Sequence, residues 1–193
     1  MKIKPVILCG GSGTRLQLKK NKNLPKQFIN FGNWTLFDKV LNRIKSPVFD
    51  SPVISTNSKY IDRIKEYLKK HKIKDFKIIL EPVKKNTAPA ILSSVLIKDI
   101  PLYQPLIFFT ADHLLEKVNI LYKEIKINQK NLTKDNIFIF GIKPTSQSTE
   151  FGYFLTKKSK KKTHKVLKFI EKPKKNKVKQ IIKKKGYWNS GMF

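Results

Sequence analysis

Leu8-Cys9-Gly10-Gly11-Ser12-Gly13-Thr14-Arg15-Leu16, followed by Pro25-Lys26-Gln27-Phe28, is the stretch that decides the fold. The apolar run into Leu8 reads as a buried parallel strand ending in glycine. Three glycines then crowd into positions 10 to 13. Without side chains, such a loop can approach a ligand closely and turn its N–H groups inward as an anion cradle. Arg15 and Lys26 add full positive charges beside it, so a phosphate-rich ligand suits the loop. A tight strand-to-helix turn with no ligand is the other use of such a sequence. Two familiar phosphate loops are excluded. The dinucleotide fingerprint needs a glycine where Leu16 stands, and the Walker loop needs Gly-Lys-Ser/Thr at its end.

Working outward, apolar runs alternate with helical spacing. Strands are expected at Ile3 to Leu8, Val53 to Ser55, Phe76 to Leu80, Leu106 to Phe109 and Ile137 to Phe140. Phe37, Val40, Leu41 and Ile44 fall on one face of a helix, as do Ile61, Ile64 and Leu68, and later Val118, Leu121, Tyr122 and Ile125. Ala88 to Ile97 is apolar nearly all round, which predicts a helix buried against the sheet. From Phe151 the pattern changes. Phe151 to Leu155 and Val166 to Ile170 read as strands around a basic hairpin tip, and Val178, Ile181 and Ile182 mark a last short helix. Strands alternating with helices predict an α/β fold: a doubly wound, mostly parallel sheet flanked by helices, in one domain over 1–193. Ligands of such sheets sit outside the carboxyl ends of the strands. The glycine loop, Glu81 and Asp112 all fall there.

Composition narrows the partners. The 193 residues are 40% hydrophobic, enough for a globular core, and no apolar run is long enough to span a bilayer. Cys9 is the one cysteine, which excludes an intrachain disulfide and suits the cytoplasm. The net charge is +29, yet of 42 basic residues only Arg15, Arg43 and Arg63 are arginine. Arginine is the better reader of bases and phosphates. The lysines are spread along the chain, so a compositional bias explains the charge better than a specific nucleic-acid partner does. Salt-sensitive adhesion to polyanions is expected.

The glycine loop with Pro25-Lys26 resembles the signature of sugar-nucleotide pyrophosphorylases, and more finely that of bacterial mannose-1-phosphate guanylyltransferases. Further motifs of that family recur in order: Glu81-Pro82-Val83-Lys84-Lys85-Asn86-Thr87-Ala88-Pro89-Ala90, Ala111-Asp112-His113, Phe140-Gly141-Ile142-Lys143-Pro144-Thr145, Phe151-Gly152-Tyr153, Phe169-Ile170-Glu171-Lys172-Pro173 and Trp188-Asn189-Ser190-Gly191-Met192-Phe193. The resemblance implies a Rossmann-like nucleotide-diphospho-sugar transferase fold. It also implies transfer of a guanylyl group from GTP to mannose 1-phosphate, with Mg²⁺, giving GDP-mannose and pyrophosphate.

It implies a site as well. Arg15 and Lys26 would be catalytic, steadying phosphate charge during a transfer that rests on positioning and electrostatics. Leu8, Gly10, Gly11, Gly13, Thr14, Arg15, Lys26, Glu81, Asn86 and Asp112 would bind the nucleotide. Gly152, Glu171, Lys172 and Asn189 would line the sugar-phosphate pocket. Spacing alone reads Asp112 as a helix N-cap; the resemblance makes it the metal ligand, a use that fits a hard cation bridging phosphates. His113 reads as structural. In that family Trp188 to Phe193 is an interior motif, followed by more helices and a second metal-binding aspartate. The expectation is therefore a domain incomplete at its carboxy end, with apolar surface at Met192-Phe193 and weak turnover. Another sugar-1-phosphate nucleotidyltransferase (thymidylyl or uridylyl) is the nearest alternative. A non-catalytic nucleotide-binding chain, rescued by a separate chain that carries the missing segment, is the other. The partners expected beside the two substrates are a second copy, as a homo-oligomer, or a complementing chain.

Overall fold

A computed structural model describes residues 2–11, 24–82, 87–133, 135–157 and 163–193. They fall into two compact units, Met1–Lys134 and Asp135–Phe193.

The first unit holds four parallel strands: β1 (Lys4–Leu8), β2 (Val53–Thr56), β3 (Lys77–Leu80) and β4 (Leu106–Thr110). Their order is β3-β2-β1-β4. The chain steps outward from β1 through β2 to β3, then returns to the other side of β1. That reversal opens a crevice between the carboxyl ends of β1 and β4. The ends are level: Leu8 lies opposite both Ser55 and Thr110, and Thr56 lies opposite Leu80. Val6, Ile7, Val53, Ile54 and Phe109 are buried, as expected of parallel strands covered on both faces.

The helices are α1 (Leu36–Arg43), α2 (Ile61–Lys70), α3 (Thr87–Val95) and α4 (Val118–Asn128). Helix α1 buries Phe37, Val40 and Leu41, the face its spacing predicts. It starts on a capping box. The Thr35 hydroxyl accepts from the Asp38 N–H at 3.1 Å, and the Asp38 carboxylate accepts from the Thr35 N–H at 2.8 Å. Asp38 also meets His71 Nε2 at 2.6 Å and Lys70 Nζ at 2.9 Å, which ties α1 to the end of α2. Burial works to raise the Asp38 pKa; the hydrogen bonds from His71, Lys70 and Thr35 outweigh it and hold it well below the ordinary carboxylate range.

Helix α3 forms where expected but is not buried all round. Ala90 and Ser94 face the sheet, while Leu92, Val95 and Leu96 are 59%, 48% and 68% exposed. Ala90 and Ser94 are one turn apart and small, and Ser94 Oγ donates back to the Ala90 carbonyl at 2.7 Å. Small residues let the helix approach β1 and β2 closely, so they select the inner face.

The second unit is an antiparallel sheet in the order β5-β8-β6-β7: β5 (Gly141–Ile142), β6 (Tyr153–Thr156), β7 (Val166–Ile170) and β8 (Tyr187–Asn189). Helix α5 (Lys175–Lys183) buries Val178 and Ile181 with Tyr153. The hairpin of β6 and β7 is the one read from the sequence; most of its tip, 158–162, lies outside the described residues. The expected strand Ile137 to Phe140 does not form. Ile137 is 84% exposed. Phe140 instead pairs with the chain's last residues, donating to the Met192 carbonyl at 3.3 Å and accepting from the Ser190 N–H at 3.1 Å. That pairing buries Met192, contrary to the expected exposed apolar end.

Candidate functional site

The crevice of the first unit is a cleft of about 230 Å³. Leu8, Gly10, Gly11, Glu81 and Asp112, all named from the sequence, line it. Gln27, Thr87, Ala90, Thr110 and Ala111 line it too. The carboxyl ends of three strands contribute. Leu8 to Gly11 leave β1, Glu81 follows β3, and Thr110 to Asp112 leave β4.

Gly10 leaves room for a carboxylate. A Cβ there would stand 2.8 Å from both carboxylate oxygens of Glu81, which lies across the glycine. Glu81 is not free to retreat, because the buried Ser55 hydroxyl donates to its Oε1 at 2.6 Å. Its backbone is fixed as well. The Glu81 N–H donates to the Thr56 carbonyl at 2.8 Å, and Asn57 Nδ2 donates to the Glu81 carbonyl at 3.3 Å. This acceptor is therefore held in place before any ligand arrives.

Lys26 opens a short 3-10 turn, Lys26–Phe28. Gln27 and Phe28 of that turn are buried. Gln27 Nε2 donates to the Cys9 carbonyl at 3.3 Å, docking the turn against the end of β1. Lys26 Nζ then reaches Asp112 Oδ2 at 3.6 Å. The other Asp112 oxygen lies 3.9 Å from His113 Nε2. A cation and a carboxylate thus face each other beside the glycine loop. Cys9 is buried beside the site. Burial pushes its thiol up to about 12, so it stays a neutral hydrophobe. Gly13, Thr14, Arg15 and Asn86 lie outside the described residues.

In the second unit, Gly152, Glu171 and Asn189 come together. A Cβ on Gly152 would meet Glu171 Oε2 at 2.8 Å, Phe169 Cζ at 2.9 Å and Asn189 Cβ at 3.5 Å. The Asn189 N–H donates to the Gly152 carbonyl at 2.8 Å. Asn189 Oδ1 accepts from the Gly191 N–H at 3.2 Å. Lys172 follows Glu171 in the turn after β7, with a left-handed backbone (φ 40°) unusual outside glycine. Phe151 packs edge-on against Trp188 at 5.0 Å, an aromatic wall beside Gly152 that the sequence reading did not single out.

Among the described residues no three His, Cys, Asp or Glu side chains gather into a metal-binding group. The donor set nevertheless fits Mg²⁺. That ion can be held through a single carboxylate plus substrate phosphates, and Asp112 lines the cleft. Among the described residues no helix is long and apolar enough to cross a membrane.

Comparison with known proteins follows the same lines. A mannose-1-phosphate guanylyltransferase of Escherichia coli is 35% identical over 199 residues, covering 98% of this chain and 43% of that protein. The alginate biosynthesis protein AlgA of Pseudomonas fluorescens is 31% identical over 195 residues, covering 98% and 40%. The chain thus spans less than half the length of these relatives. A crystal structure of a mannose-1-phosphate geranyltransferase from Thermus thermophilus superposes with a TM-score of 0.83 at 23% identity, over 100% of this chain and 56% of that one, and so shares the fold. Residues 4–193 match the sequence model of a single family, and with the crevice and its glycine loop they make this chain a member of the Nucleotidyl transferase family.

Proposed function

We propose that the protein is a sugar-1-phosphate nucleotidyltransferase that joins GTP and mannose 1-phosphate into GDP-mannose and pyrophosphate. The observation that carries the reading is the Lys26–Asp112 pair, 3.6 Å apart, beside a glycine loop that lines the crevice with Glu81. The backbone at Gly10 and Gly11 approaches the phosphates, and Lys26 offsets their charge. A sugar-phosphate oxygen attacks the α-phosphorus in line; the bond to the β-phosphate breaks and pyrophosphate leaves. Asp112 would hold Mg²⁺, which when bound neutralises phosphate charge. Arg15, Gly13, Thr14 and Asn86 join the nucleotide side on the strength of the family motif.

Guanine is favoured by Glu81. An ionised carboxylate only accepts hydrogen bonds. Guanine presents two adjacent donors on its pairing edge, N1–H and the exocyclic amine, whereas uracil and thymine present one. Gly152, Glu171 and Asn189 suit a sugar: the glycine admits a ring, the carboxylate accepts from hydroxyls, and the amide does both. Lys172 faces the sugar phosphate in this reading. A cytoplasmic location accords with a chain whose one cysteine is buried and unreactive.

The test is pyrophosphate release by this chain from GTP, mannose 1-phosphate and Mg²⁺. Release that requires the sugar phosphate supports the reading. Faster release from uridine or thymidine triphosphate overturns the guanine assignment.

A further inference from the structure

Arginine is scarce in this chain, with three among 42 basic residues. Lysine serves almost everywhere else, so at each arginine the use made of the planar guanidinium is worth tracing. Arg15 belongs to the glycine loop. Arg63 is exposed and lies over the Phe28 ring, 5.6 Å from its centroid. Arg43, the last residue of α1, is 2% exposed.

No carboxylate pairs with Arg43 among the described residues, and its Nε and Nη1 are buried with no hydrogen-bond partner there. Burial lowers its pKa only to about 10, so it keeps its charge at neutral pH. A buried cation without a counter-ion is a poor device for stability, since a well-packed apolar side chain commonly serves as well or better. What Arg43 does make is one directed bond. Nη2 donates to the His113 carbonyl at 2.9 Å, one residue beyond Asp112. The guanidinium lies over Phe109 of β4, 5.3 Å from the ring centroid. The Arg43 carbonyl in turn accepts from Tyr122 Oη of α4 at 2.6 Å. One side chain therefore joins α1, β4 and the turn after β4, and its backbone is clamped by α4.

We infer that Arg43 is a positioning residue: by gripping the His113 carbonyl it fixes the Ala111-Asp112-His113 turn, and so aims the Asp112 carboxylate at the crevice. A lysine could keep the charge there but not the rigid fork. The inference deepens the proposed function and rests on its reading of Asp112 as metal ligand. It also makes a purely structural claim that stands apart from that reading.

Two measurements test it, each on Arg43→Met and Arg43→Lys. The first is amide hydrogen exchange. The Ala111 N–H, which donates to the Leu8 carbonyl at 3.1 Å at the start of the turn, should exchange about tenfold faster in both variants while Val6 to Leu8 of β1 keep their protection, because the loss is local. Unchanged exchange at Ala111, or equal acceleration of β1, overturns the inference. The second is the gain in GTP affinity on adding Mn²⁺. Arg43→Met should lose about tenfold of that gain, the scale for a partner that orients a metal ligand, with metal-free GTP affinity unchanged. Combined with Asp112→Asn it should cost nothing more. An equal loss in the Asp112→Asn background overturns the inference. If the unaltered chain shows no metal-dependent gain, the functional reading fails, and the exchange experiment still decides the role of Arg43.

Discussion

In each unit a glutamate lies across a glycine, and the two crossings differ in how they are held. Glu81 covers Gly10 and Glu171 covers Gly152, both with a carboxylate oxygen 2.8 Å from where a Cβ would be. Glu81 is bonded to Ser55 on a buried parallel strand. Glu171 is exposed, at the end of β7, every residue of which is at least partly exposed. Both glutamates follow partly exposed edge strands, β3 and β7; what differs is the buried Ser55 hydroxyl that fixes the Glu81 carboxylate. In our reading the nucleotide side is therefore held more firmly than the sugar side.

The largest effect expected is at the crevice. Asp112→Ala should lower pyrophosphate release by about a thousandfold, the scale for removing one electrostatic contributor to a transition state. A drop no larger than that of Glu171→Gln would erase the contrast between the two sides.

Next comes the support beneath α1. Asp38→Asn should destabilise the first unit by roughly 3 kcal/mol, as when one partner of a buried ion pair is removed. The folded Asp38 pKa is depressed, so its stabilisation is complete above the unfolded carboxylate value of about 3.9 and fades as pH falls below it. Urea unfolding of both proteins should therefore show a gap that is constant at neutral pH and narrows in acid. A gap that widens in acid would be the wrong sign.

A smaller difference separates the glutamates themselves. Ser55→Ala should weaken GTP binding by about tenfold, the low end for a bond to a charged group, and leave the KM for the sugar phosphate alone. Glu171→Gln should raise that KM and leave GTP binding unchanged. Crossed effects would contradict the assignment of the two sides.

Smallest are the glycines. Gly10→Ala displaces the Glu81 carboxylate and strains its bond to Ser55, at a cost of no more than about 1 kcal/mol. Gly152→Ala meets Glu171 and the end of the Phe169 ring, both exposed and able to swing, so its unfolding midpoint should move less.

Much of this was readable in the sequence where the signal is local. β1, α1, α2, α4 and the β6–β7 hairpin follow from apolar periodicity, and Gly10, Gly11 and Asp112 follow from their place after strands. The structural places of Gln27, Ser55 and Arg43 were not readable. Their bonds run to Cys9, Glu81 and His113, separated by 18, 26 and 70 residues, and only the folded sheet brings them together. The inner face of α3 was hidden because it is marked by the small residues Ala90 and Ser94 rather than by large apolar ones. Ile137 to Phe140 looked like a strand because an apolar run does not reveal its pairing partner, here Ser190 and Met192.

In our reading the crevice between β1 and β4 is a guanine-nucleotide site. Equilibrium competition of GTP against uridine and thymidine triphosphates for this chain in Mg²⁺ tests it. GTP should bind about tenfold more tightly, from its paired donors on Glu81, and Glu81→Gln should remove the preference. Equal or tighter binding of either pyrimidine nucleotide would contradict it.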